Sequence, residues 1–429
     1  MSDTTDAAVR ASRAAASARR SVEAVWRIES ARIVATLTRF TGDFAAAEDL
    51  AQDALAAALE QWPRDGVPAN AGAWLVAVAQ RRAIDGWRRR ERLDERYAAI
   101  ARELESADLD TEPYDPDEID DDVLRLVFIA CHPALSREAQ IALTLRVVGG
   151  LTTEEIARAF FLPVATVQQR IVRAKKTLAA VKAPFEVPGR EEFAERMGTV
   201  LSVLYLVFNE GHVASSGERW LRADLAHEAL RLGRVLAELA PREPEVHGLV
   251  ALMEFTAARF PARLGPDGEP VLLDRQDRTR WDRQLIARGR AALARADALG
   301  RGRGAYALQA AIAECHDVAT SVESTDWERI VLLYEALARL APSPVVELNR
   351  AVAVAMATGP ASALPIVDEL DRSGALAGSH LLPSVRGELL ARLGRNAEAR
   401  AALEEAARRT ANERERDVLR AKAAALPEG

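Results

Sequence analysis

Two cysteines in 429 residues, Cys131 and Cys315, cannot build a disulfide framework, and they fit a chain kept in a reducing cytoplasm. Aromatic residues make up only 5% and β-branched runs are scarce, while Ala, Leu, Arg and Glu dominate. This composition favours helices over sheets, so an all-α fold is expected. No stretch reaches the ~18 uncharged apolar residues that a membrane span requires. The opening "MSDTTDAAVRASRAAASARR" lacks the apolar core of a secretory signal and reads as a tail or a frayed helix. Also missing are a phosphate-binding glycine loop, a metal-spaced Cys/His cluster and a nucleophile motif. The expectation is therefore a protein that is not an enzyme, with no cofactor and no metal. Cys131-His132 and Cys315-His316 read as buried thiols beside polar helix residues rather than as a zinc site.

The formal net charge of −7 argues weakly against a nucleic-acid partner, but the charges are segregated. "ELESADLDTEPYDPDEIDDD" (103–122) carries no Lys or Arg, whereas "RRAIDGWRRRER" (81–92) and the stretch from Gln169 to Lys182 are basic. These shifts, with the prolines and glycines, suggest domains. A tail (1–20) precedes a helical block (21–92), which contains a Gly-Asp break at 42 and 43 and a loop marked by Pro63, Gly66, Pro68 and Gly72. An acidic linker (93–121) leads to a second helical block (122–183), and Pro184 and Pro188 mark a short linker (184–192). From 193 to 429 ordinary helices follow one another. Trp327 and Ala361 lie 34 residues apart, as do Tyr334 and Asp368, which is the period of tetratricopeptide repeats. Ile330, Tyr334, Leu337 and Pro342 fit that motif, as do Ala399 and Ala406 of a further repeat; an irregular helical bundle is the competing reading. The polar segment 260–281 is too long for a repeat turn.

"LTTEEIARAFFLPVATVQQRIVRAKKTL" (151–178) has the parts of a helix-turn-helix. Thr152 with Glu155 forms a capping box. Ile156, Ala157 and Phe160 give the first helix an inner face, and Pro163 suits the start of the second. There, Val167, Ile171, Ala174 and Leu178 make one apolar stripe, while Gln169, Arg173 and Lys176 fall on another face beside Thr166 and Arg170. Glutamine pairs bidentately with adenine and arginine with guanine, and lysines neutralise phosphates. A solvated charged face is the alternative for these residues.

Taken with "AEDLAQDALAAALEQW" and "AWLVAVAQRRAIDGWRRRER", this stretch resembles small sigma-70-type sigma factors of the extracytoplasmic-function class. The earlier block resembles their region 2 and the later one their region 4. "VLYLVFNEGHVASSG" and "VVELNRAVAVAMATGP" resemble the subgroup with a C-terminal tetratricopeptide-like extension. The resemblance implies two helical sigma domains on an acidic linker, followed by a regulatory helical-repeat domain with its own protein or peptide partner. It implies as partners promoter DNA and core RNA polymerase, through the β′ clamp helices and the β flap. Glu48, Asp49, Leu50, Gln52 and Asp53 would then bind polymerase; N-terminal helix-dipole compensation is their other reading. The −10 element would fall to Asp65, Asn70, Trp74, Arg81, Arg82, Arg88, Arg89 and Arg90. Region 4 would meet the −35 element with Thr166, Gln168, Gln169, Arg170, Arg173, Lys175 and Lys176. Departures from the family are Arg81-Arg82 where Asn-Leu is common, Phe161 for a turn glycine and Pro163 for a capping serine. Two rivals remain: an operator-binding regulator with a ligand-sensing repeat domain, and a repeat scaffold that does not bind DNA.

Overall fold

Gly42, at φ +66°, ends one helix, and the Asp43 carboxylate starts the next by accepting hydrogen bonds from the N–H groups of Ala45 and Ala46. The computed structural model describes residues 2–90, 116–160, 162–212, 223–265, 271, 273–410 and 413–427. Among them there are helices and no strands, as the composition implies. The chain divides into two compact units, Met1–Leu204 and Tyr205–Gly429.

In the first unit, α1 (Ser2–Thr41), α2 (Phe44–Asp65) and α3 (Ala71–Arg90) pack on one another. Trp62 meets Trp74 edge-on at 5.5 Å, and Phe40 stacks on Trp87 at 5.3 Å, fixing α3 at both ends. Leu75, Ala79 and Ala83 form its buried side. Helix α1 runs unbroken from Ser2, so residues 2–20 take the helical of the two conformations expected for the opening segment. Helix α4 (Pro116–Ala130) begins inside the expected acidic linker and packs on α1. The linker residues 93–115 lie outside the described residues. Then come α5 (Arg137–Val147), capped by Ser136, α6 (Thr153–Ala159) and α7 (Val164–Ala180). Helix α8 (Arg190–His212) follows, and the boundary between the units falls within it.

In the second unit α10 (Pro244–Ala258) is buried on every side, as befits a helix that is apolar all round. It packs against α9 (Ala223–Leu239), α11 (Arg283–Ala298) and α12 (Ala305–Val318). The segment between α10 and α11 contains short 3-10 turns rather than a repeat hairpin. Arg278 pins it: its Nη1 donates to the carbonyls of His316 and Ala319 at 2.7 and 2.8 Å, and the guanidinium lies over buried Trp281. Six helices of similar length follow, each packed on the next: α13 (Trp327–Leu340), α14 (Pro344–Ala357), α15 (Pro360–Ser373), α16 (Leu381–Arg392), α17 (Asn396–Arg409) and α18 (Glu413–Ala424). Ile330, Leu337, Ala399 and Ala406 are buried, and Tyr334 is half-buried.

Candidate nucleic-acid and polymerase interface

Helix α6 begins where the sequence places it. The Thr152 N–H donates to Glu155 Oε2 at 2.8 Å and the Glu155 N–H to Thr152 Oγ1 at 3.1 Å, a reciprocal capping box. The turn closes through the Leu162 N–H on the Ala157 carbonyl, and Pro163 (φ −60°) leads into α7. Phe161 lies outside the described residues. The buried set of α7 is Val167, Ile171, Ala174 and Leu178, the stripe expected from spacing. A helix seated on one stripe must turn its other side outward. Gln168, Gln169, Arg173 and Lys176 are exposed there, with Thr166 and Arg170 half-buried at the margin. Val172, which periodicity did not single out, is 49% exposed between Gln169 and Lys176. The result is a projecting face of amides and cations around one aliphatic side chain.

Lys175 does not join that face. Its ammonium reaches into the first helical block, where it contacts Glu48 Oε2 and lies 2.8 Å from Asp49 Oδ1. Burial pulls the lysine's pKa down, but Glu48 and Asp49 together outweigh it and hold the group above its ordinary value. Arg146 of α5 approaches Glu48 Oε1 at 3.4 Å. Glu48 is consequently only 4% exposed, whereas Asp49 and Asp53 are open and Leu50 and Gln52 half-buried. Gly150 explains how closely the blocks approach: at φ +68°, a Cβ there would lie 2.6 Å from Ser30 Oγ of α1. A cavity of about 380 Å³ remains beside the cluster, lined by Phe44, Ile129, Leu178 and Phe185 together with Lys175 and Lys182.

The other expected residues of the first block spread over α2 and α3. Asp65 is exposed at the end of α2. Asn70 is exposed and caps α3, its Oδ1 accepting from the Ala73 N–H at 3.0 Å. Trp74 is half-buried against Trp62. Arg81 is exposed, while Arg82 donates to the Asp53 carbonyl at 2.8 Å and pairs with its carboxylate at 3.7 Å. Arg88, Arg89 and Arg90 belong to the last turn of α3, and their side chains lie outside the described residues.

Both cysteines are buried and free. Burial pushes the Cys131 thiol up to about 11, and Thr144 Oγ1 lies 3.4 Å from its sulfur. Among the described residues, no group of His, Cys, Asp and Glu is placed to hold a metal ion, and no helix is long and apolar enough to cross a membrane.

The projecting helix-turn-helix face and the α1–α3 block define a class. Residues 27–93 match Sigma-70 region 2 and residues 125–178 match Sigma-70, region 4, so the chain carries both domains of a sigma-70 family factor, with a role in transcription initiation. Residues 196–297 match a family of unknown function, DUF6596. The chain belongs to the same family as an uncharacterized protein of Rhizobium meliloti (strain 1021), to which it is 44% identical over 398 residues, 90% of each chain. No solved structure matches it.

Proposed function

We propose that this protein is a non-catalytic sigma factor of the extracytoplasmic-function class, acting in the cytoplasm. It binds core RNA polymerase, directs it to a two-element promoter and helps to open the DNA. The observation that carries the reading is α7: its apolar stripe is buried and its opposite side offers Gln169, Arg173 and Lys176 to a groove. Region 2 would dock on the β′ clamp helices through Asp49, Leu50, Gln52, Asp53 and, once uncovered, Glu48, while region 4 would meet the β flap. Near the −10 element, Arg81, Arg82 and Arg88 to Arg90 would follow phosphates of the separating strands, and Asp65, Asn70 and Trp74 border the loop that would receive an extruded base. The second unit would be a tetratricopeptide-like regulatory domain taking a protein or peptide partner; the similar lengths of α13 to α18 support this.

Run-off transcription tests the proposal, using purified core polymerase and genomic DNA with and without the protein. Discrete new transcripts that require the protein are expected. Tight, sequence-specific duplex binding without transcripts would replace this reading with an operator-binding regulator.

A further inference from the structure

Glu48 stands among the residues proposed to dock on polymerase, yet it is covered, and its cover comes from the same chain. Lys175 and Arg146, both of region 4, converge on its two carboxylate oxygens. The side chains involved are scarcely hydrated: Lys175 and Arg146 are each 14% exposed and Glu48 5%. Two further ion pairs tie α1 of the first helical block to helices of the second. Arg27 of α1 meets Glu155 of α6 at 2.8 Å, and Arg39 of α1 meets buried Asp122 of α4 at 3.3 Å. Gly150 seats the turn before α6 directly on α1.

We infer that regions 2 and 4 form a closed arrangement latched by Lys175 and Arg146 on Glu48, and that region 4 and core polymerase compete for this face of α2. The inference rests on the sigma reading above. Its physical basis is that an exposed ion pair holds little, whereas a desolvated one resists the loss of a single partner, because the remaining charge is left buried. Opening therefore needs a replacement for both cations or water to reach all three groups at once. The latch spends a lysine that region 4 would otherwise offer to DNA, so closure weakens both activities together. A protein whose competent form is a minor fraction binds its partner more weakly by that fraction.

The test is fluorescence energy transfer between dyes on Leu59→Cys and Val181→Cys, both positions being exposed and the native thiols buried, combined with titration of core polymerase. Lys175→Glu sets a carboxylate against Glu48 and Asp49. It should lower the transfer efficiency and tighten polymerase binding about tenfold. Arg146→Ala, on α5 rather than α7, removes the second buried cation from Glu48; it should lower transfer in the same direction and guards against misfolding of the first variant. Unchanged transfer in both Lys175→Glu and Arg146→Ala would overturn the latch. Lower transfer with polymerase binding unchanged or weakened would overturn the competition. If neither the wild-type protein nor any variant binds core polymerase, the sigma reading itself fails and takes the competition with it.

Discussion

Glu245 caps a helix that starts some sixty residues further along the chain: its carboxylate accepts the N–H groups of Tyr306 and Ala307 at 2.8 and 3.1 Å. Those amides lie in the first turn of α12, where a helix offers no i−4 carbonyl to its N–H groups. The carboxylate also suits the positive end of the helix dipole. Glu245→Ala should cost about 1–2 kcal/mol. Amide hydrogen exchange at Tyr306 and Ala307 should accelerate about tenfold or more, while exchange in α1 to α3 stays unchanged.

One turn further along α10, Gly248 lets the two helices approach. A Cβ there would meet the Ala307 backbone nitrogen at 2.7 Å and its Cα at 2.9 Å. Neither atom is the end of a flexible chain, so Gly248→Ala must push α12 away. A loss of about 1–3 kcal/mol is expected in the second unit's urea transition. Gly198, with nothing within 4 Å of its added Cβ, is the control and should tolerate alanine.

His316 sits in α12's last turn, edge-on to Trp327 at 5.1 Å. Burial, aided by Arg259 and Arg278, pushes its pKa down to about 3. The unfolded chain therefore binds a proton that the folded chain refuses. The group's contribution is fully present above pH ~6.5 and is lost as the pH falls toward 3, a few kcal/mol in all. His316→Phe keeps the ring against Trp327 and cannot take the proton. It should flatten the acid side of the second unit's stability profile, measured by denaturant melts between pH 7 and 4.

On α7, base-reading and phosphate-binding side chains should separate by their response to salt. Gln169→Ala and Arg173→Ala should each cost about 1–3 kcal/mol on the cognate duplex and relax sequence preference. Lys176→Ala should weaken binding on all duplexes alike and reduce the slope of log K against log salt by about one. Fluorescence anisotropy over a salt series distinguishes the two behaviours, and uniform losses for all three would contradict the assigned roles.

Much of this site could be read from local spacing. The stripe Val167, Ile171, Ala174 and Leu178 repeats at helical intervals, and Thr152 with Glu155 declares a helix start, so α6 and α7 needed only neighbouring residues to be recognised. Lys175 defeats the same reasoning. Next to Lys176 in sequence it looks like one more groove-facing cation, but a step of one residue turns ~100° around a helix. Its partners lie more than 120 residues away, and no periodicity records that pairing. Glu48 was hidden for the same reason: spacing assigns a face to a helix but not the neighbour that covers it. Likewise, Gly248 and Glu245 gave no sequence signal, because their importance arises only where α10 crosses α12.

The last helices gather around separate small cores. Leu308, Ile312, Ile330 and Leu337 belong to one, Leu348, Val367, Leu382 and Leu389 to the next, and Leu403, Ala406 and Leu419 to a third. Each core draws on helices close together in sequence, so cooperativity is passed along the row from neighbour to neighbour rather than shared by the whole. Opening of α17 and α18 should therefore leave the core around Leu308 and Ile330 intact. Helices α17 and α18 can thus open or exchange partners in graded steps while the helices before them stay folded.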